Sequence, residues 1–248
     1  MTLLRVRGLT KRFGGLVATD ALDLDIAAGE LHAIIGPNGA GKTTLIHQLS
    51  GSLASDRGTI FLDDLDITSL PVHARVRRGI ARSFQITSVF PAFSTRDNVA
   101  LAVQAADGSS FGCWRPVRRE RQLAERADAL LQRVGLADRA EETAGVLSHG
   151  EHRQLEVAIA LATGPRLLLL DEPMAGLGPD ESARMVELID SLRRQLTIVL
   201  VEHDMDAVFR LADRISVLVT GRLLASGTAG QIRANDEVRG AYLGEEQA

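Results

Sequence analysis

The chain has 248 residues, 45% of them apolar and 24% charged, with a formal charge of −4. That length can bury a large core, as one big domain or a domain with a substantial subdomain, and the slight acidity gives no global bias toward nucleic acid. The lone cysteine, Cys113, excludes an internal disulfide and suits a reducing compartment, while Arg5, Arg7, Lys11 and Arg12 interrupt any leader-like apolar stretch.

Residues 2–7 alternate and are expected to form an edge strand, with a second strand over 22–26. The apolar run 32–35 predicts a short strand that ends in GPNGAGKTT, residues 36–44. This is the spacing of a phosphate-binding loop: two glycines with four residues between them, then Lys and Thr. Gly36, Gly39 and Gly41 permit close backbone approach, and Pro37, Asn38 and Ala40 complete the loop. Backbone N–H groups and the start of the following helix supply positive partial charge. Lys42 reaches the terminal phosphates, Thr43 offers a hydroxyl to Mg²⁺, and Thr44 continues into a helix expected to end near Leu49. The expected ligand is a nucleoside triphosphate.

Residues 58–62 resemble a strand, and Pro71 opens a helix expected to run to about Gly79. From 86 to 164 the chain turns helix-rich without convincing strands, and Leu123, Ala127, Leu130, Leu131 and Val134 form one helical stripe. After Pro165 come a strand at 167–170, a helix at 180–194, a strand at 196–201, a helix at 204–213, a strand at 215–219 and last helices ending near Tyr242. This alternation indicates parallel strands with crossover helices, hence an α/β nucleotide core over 1–85 and 165–248 with a helical insertion at about 86–164. The apolar runs at 167–170 and 198–201 fall far short of the roughly 20 residues that span a bilayer, so any membrane channel must be a separate subunit.

Residues 167–173 read LLLLDEP, a buried strand with two carboxylates at the end where parallel sheets bind ligands. Asp171 is placed to hold Mg²⁺, directly or through water, and Glu172 to polarise an attacking water. Residues 147–151, LSHGE, start an apolar helix; Ser148 and Glu151 have capping-box spacing, and the same helix start is an anion site. His149 and His152 have helical metal-ligand spacing but no accompanying ligand cluster, which favours solvated residues over zinc. The arginines at 75–82 and 115–121 read by default as a solvated helix face.

The order of phosphate loop, Gln85, Ser–x–Gly–Glu helix start, DEP strand and His203 resembles the ATP-binding-cassette ATPases over nearly the whole chain. The resemblance implies ATP and Mg²⁺ as ligands and an α/β P-loop NTPase core with a mixed sheet, an antiparallel β subdomain and an inserted helical subdomain. It implies that Gln85 contacts the Mg²⁺ and water region, that His203 contacts the γ-phosphate region, and that Phe13 lies against adenine. Ser148, Gly150 and Glu151 would contact the triphosphate of a second ATPase chain in a head-to-tail dimer. Two positions depart from the commonest family pattern. Glu151 replaces a glutamine and adds negative charge near a triphosphate, and Gly178 replaces an aspartate that often crosses the dimer interface.

The stretches 171–181, 201–205 and 241–246, with 83–102, are similar to the ATPases of branched-chain amino acid importers. That likeness implies transmembrane permease subunits as partners, a second ATPase that is identical or paralogous, an indirect link to a solute-binding protein, and a place at the inner face of a bacterial inner membrane. Urea and short-amide importers use similar ATPases; lipopolysaccharide-export ATPases are also similar, but 202–205 and 242–246 argue against them. Nucleic acid is not an expected partner, because neither a second cassette nor a long coiled-coil insertion is present. A regulatory subunit without turnover is disfavoured by the intact Asp171–Glu172 pair.

Overall fold

Two sheets carry the fold in the computed structural model, which describes residues 1–83, 89–107 and 117–243. The first sheet is antiparallel, in the order β2 (Leu16–Ala27), β1 (Thr2–Phe13), β4 (Arg57–Leu62), β5 (Leu65–Asp66). β1 is therefore an interior strand and not the expected edge. Its charged side chains lie along the solvated face, where Arg5 pairs with Asp64 and Arg7 with Asp25.

The second sheet runs β10 (Arg222–Gly227), β9 (Arg214–Val219), β3 (Leu31–Ile35), β8 (Thr197–Val201), β7 (Leu167–Asp171), β6 (Ile80–Arg82). All its pairings are parallel except β9 with β10. Every residue of β3, β7 and β8 is buried, as expected of a parallel sheet covered on both faces.

Alternation along β7 distributes its leucines between two layers. Leu167 and Leu169 face α1 (Lys42–Ser50) and the antiparallel sheet, together with Leu45, Ile46 and Leu49. Leu168 and Leu170 face the opposite layer, built from α3 (Thr95–Ala106), α4 (Val117–Arg133), α5 (His149–Ala162) and α6 (Pro179–Arg193). On α4, Leu123, Ala127 and Leu131 are buried and Leu130 partly so, and Val134 just after the helix is buried too, which is the stripe the spacing predicts. A smaller cluster joins β9 to α7 (Met205–Leu211), α8 (Ala229–Arg233) and Val238 of α9 (Asp236–Val238).

The helix after Pro71, α2, stops earlier than expected, at Val72–Val76. On this short helix Arg75 is buried and donates to four carbonyls: Gln48 and Leu49 at the end of α1, Thr68 and Leu70. Its guanidinium caps the helix that starts at Lys42. Burial pushes its pKa down to about 10.

Candidate functional site

Because β3, β7 and β8 are parallel neighbours, their carboxyl ends lie on one edge of the sheet, the edge where such sheets bind ligands. Residues 36–44 leave β3 there. Gly36 has φ +150 and Gly41, the N-cap of α1, φ +100. At these two glycines the close approach is to the chain's own backbone: a Cβ would stand 2.0 Å from Leu218 O at Gly36 and 2.1 Å from Ala18 O at Gly41. Gly39, at φ +77, has nothing within 4 Å of its missing Cβ. The loop is further pinned by Gly221, whose N–H donates to Ala40 O at 3.0 Å. Pro37, Thr43 and Thr44 are half-buried, Asn38 is exposed and Ala40 is buried.

Lys42 is buried, and its Nζ donates to Gly36 O at 2.6 Å and to Pro37 O at 3.0 Å. Burial lowers its pKa, with Glu172 and Asp171 acting in the opposite sense. Those two carboxylates arrive from the end of β7. Asp171 is buried and pairs through Oδ2 with Nη2 of Arg82 on β6, at 3.0 Å. Its Oδ1 and the Nε of Arg82 are both buried without a hydrogen-bond partner. Burial raises the Asp171 pKa, and Arg82 counteracts the rise. Glu172 adopts φ +49, a conformation a non-glycine residue rarely takes, and its N–H donates to Val201 O at 2.9 Å. The buried, unpartnered Asp171 Oδ1 fits a hard cation that takes oxygen ligands.

His203 follows β8 and keeps its side chain 63% exposed. Its segment is fixed by Glu202, fully buried, whose carboxylate accepts from the N–H groups of Met174 and His203, each at 2.9 Å. The sequence signal for Glu202 is faint: a single carboxylate directly after an apolar strand. Phe13 is half exposed at the tip of the β1–β2 hairpin, with the Lys11 ammonium 5.7 Å from its ring centroid. Gln85 lies outside the described residues.

The Ser148 helix start forms a separate cluster. Ser148 caps α5, accepting from the Glu151 N–H at 3.2 Å, while the Glu151 carboxylate accepts from the Ser148 N–H at 2.8 Å. The capping box is thus real, and the added charge of Glu151 is paired with Arg139 at 3.0 Å. His149 Nε2 lies 3.4 Å from Ala175 O, and Gly150 donates to Glu181. None of these hydrogen bonds reaches residues 36–44. No group of three or more His, Cys, Asp or Glu among the described residues could hold a metal, so the His149–His152 pair has no third ligand.

The family model for ABC transporters matches residues 19–175, and one for branched-chain amino acid ATP-binding cassette transporters matches residues 222–248. The chain is 40% identical to the high-affinity branched-chain amino acid transport ATP-binding protein BraF of Pseudomonas aeruginosa, across 98% of both chains. This chain belongs to the ABC transporter ATPases. LivG of Escherichia coli K12, a protein described in the same words, is 41% identical across 98% of both chains. The ADP conformation of MJ1267, an ATP-binding cassette of an ABC transporter, superposes with a TM-score of 0.86 at 27% identity, covering 98% of this chain and 99% of that one. As an ABC ATPase the chain hydrolyses ATP for a transporter, and the α/β architecture expected from the sequence is the one found. No helix among the described residues is long and apolar enough to cross a membrane.

Proposed function

We propose that this chain is the ATP-hydrolysing motor of a branched-chain amino acid importer, working as one of two ATPase chains that close on two ATPs. The observation that carries this reading is the separation of two anion-binding devices. Lys42, Asp171, Glu172 and the 36–44 loop converge on one sheet edge, while the Ser148–Gly150 donors have no bond to that loop. A second chain would complete each site by bringing its own Ser148 and Gly150 to the triphosphate.

In this reading Lys42 exchanges its carbonyl partners for the β- and γ-phosphates, and loop amides from Gly39 onward cradle the phosphate oxygens. Asp171 Oδ1 and the Thr43 hydroxyl would hold Mg²⁺, which would supply charge neutralisation for the phosphates. Glu172 and His203 orient the attacking water and the γ-phosphate, Gln85 reports on them, and Phe13 stacks on adenine. Residues 86–164 act as the helical subdomain that touches the permease. In support, Phe90 and Phe93 stack at 5.3 Å and are both half exposed, beside exposed Val146. Such a patch is apolar enough to receive a short helix of a membrane partner. The two chains are identical or paralogous, a solute-binding protein selects the cargo, and the motor works from the cytoplasmic face of a bacterial inner membrane.

The test is to purify the chain with its membrane partners and measure phosphate release with a panel of loaded solute-binding proteins. Stimulation by the leucine-, isoleucine- or valine-loaded protein is expected. Stimulation only by a urea- or amide-loaded one would reassign the cargo and keep the motor. Glu172→Gln is expected to bind ATP and lose turnover; near-normal hydrolysis by that variant removes Glu172 from its role.

A further inference from the structure

Glu181 lies on the first turn of α6, yet its carboxylate serves two helices. Oε2 accepts from the Gly178 N–H at 3.3 Å. Oε1 accepts from the Gly150 N–H and from the Ser148 hydroxyl, each at 3.2 Å. Glycine at 150 permits this approach, because a Cβ there would stand 2.7 Å from Oε1. The Gly178 N–H, with Gly150 and Ser148, holds the Glu181 carboxyl below the usual carboxylate range, so it sits there as an anion. The Ser148 hydroxyl and Gly150 N–H are the donors assigned above to the triphosphate of the second chain. Each has one proton to give, so carboxylate and phosphate cannot both hold them.

We propose that Glu181 is the resident anion of the Ser148–Gly150 donor set, a positioning residue that keeps these donors aligned in the separated chain and must release them when a second chain's triphosphate arrives. This inference rests on the pairing reading and adds the competitor that sets how much ATP pairing requires. Glu151 does not play this part, because its carboxylate is engaged by the Ser148 N–H and Arg139. Release does not strand Glu181. It is only partly buried, keeps the Gly178 N–H, and lies within the field of Arg184 on its own helix.

The test uses the full chain carrying Glu172→Gln, so that ATP is bound without turnover. ATP with Mg²⁺ is titrated and pairing followed by sedimentation velocity, for the chain alone and mixed with the second ATPase of its transporter. Glu181→Gln preserves shape and an acceptor oxygen while removing the charge. Charge-assisted hydrogen bonds are about twice as strong as neutral ones, so losing that advantage at two donors should lower the ATP midpoint for pairing about fivefold. Nucleotide affinity of the separated chain should stay unchanged. Glu181→Asp, whose shorter carboxylate cannot span to Gly150, should shift the midpoint in the same direction and serves if the Gln variant folds poorly. An unchanged or raised midpoint overturns the proposal; that is the outcome if Glu181 is only a helix cap, and it would come with a lower melting temperature. If the parent chain pairs at no ATP concentration, alone or mixed, the pairing reading itself falls and takes this proposal with it.

Discussion

Alanine placed in turn at Gly36, Gly39 and Gly41 separates two demands on the phosphate loop: room for its own scaffold and room for a ligand. At Gly36 a Cβ meets Leu218 O at 2.0 Å and Ala40 Cβ at 3.2 Å; at Gly41 it meets Ala18 O at 2.1 Å. Both obstructing oxygens are backbone atoms of packed strands, so relief requires β9 or β2 to withdraw by more than an ångström. Overpacking of this kind costs about 1–3 kcal/mol, and holding a Cβ at positive φ adds roughly 1–2 kcal/mol. The expected loss of stability is therefore about 3–4 kcal/mol at each of these two positions. Gly39 carries only the backbone term, about 1 kcal/mol, since nothing lies within 4 Å of its missing Cβ. Urea unfolding followed by far-UV circular dichroism, with the slopes compared to confirm a common unfolded state, measures all three. Fluorescent-nucleotide binding by the folded variants then shows whether Gly39→Ala impairs binding at nearly native stability. Equal destabilisation at all three positions would refute the argument that Gly36 and Gly41 are glycines for the scaffold's sake.

Arg75→Met removes a guanidinium that satisfies four carbonyls, two of them in buried bonds at the end of α1, and should cost about 3 kcal/mol in urea unfolding. Faster amide exchange should be concentrated at the end of α1. Arg82→Met leaves the Asp171 carboxylate buried without its cation, and an expected loss of about 3 kcal/mol at neutral pH should shrink on acidification as Asp171 protonates. A pH-independent loss would mean that packing, and not charge, links the two residues. For Glu151 the pKa shift is downward, yet the mutational loss again fades on acidification. The Ser148 N–H, aided by Arg139 and opposed by burial, holds its folded pKa below 4.5, so its stabilisation is present above that value and lost as pH falls through the folded pKa. The melting-temperature gap between the parent and Glu151→Gln should accordingly be open at pH 6 and close below pH 4.5.

What was legible in the sequence was local. The phosphate loop, the strand ending in Asp171 and Glu172, and the Ser148 helix start each declare themselves within ten residues, because turn chemistry, a buried run and a capping box are short-range patterns. The hairpins were less visible. β4 and β5 are joined by Asp63 and Asp64 at φ +47 and +62, and β9 and β10 by Thr220 and Gly221 at φ +46 and +79. These are tight two-residue turns without the usual Asn–Gly signature, and β10 was missed with them. β6, only three residues long, is a strand because β7 lies beside it, a pairing that no local pattern reports. The arginines at 75–82 do not share one solvated helix face as expected: Arg75 is buried against the end of α1, and Arg82 lies on β6 with its side chain 10% exposed and paired to Asp171. With Glu181 and Glu202, these residues share one trait: each finds its main partner 25 or more residues away in the chain. Their role is a product of topology.

The sheet edge that carries the chemistry is also where the chain tolerates arrangements that a purely structural core would avoid. Asp171 and Arg82 form a buried ion pair, and each retains a buried polar atom without a partner. Glu172 holds a left-handed backbone. Lys42 is buried against carbonyls with its charge disfavoured. Buried pairs of this kind are often no more stabilising than an apolar replacement of the same shape, and left-handed backbone at a non-glycine residue costs on the order of 1 kcal/mol. None of these features is needed to close the sheet, because the leucines and valines of β3, β7 and β8 already do so. Their cost makes sense if the missing interactions are supplied from outside the chain. In the proposed function a triphosphate would satisfy Lys42, a hard cation would satisfy Asp171 Oδ1, and a second chain would draw on donors that Glu181 holds in the meantime.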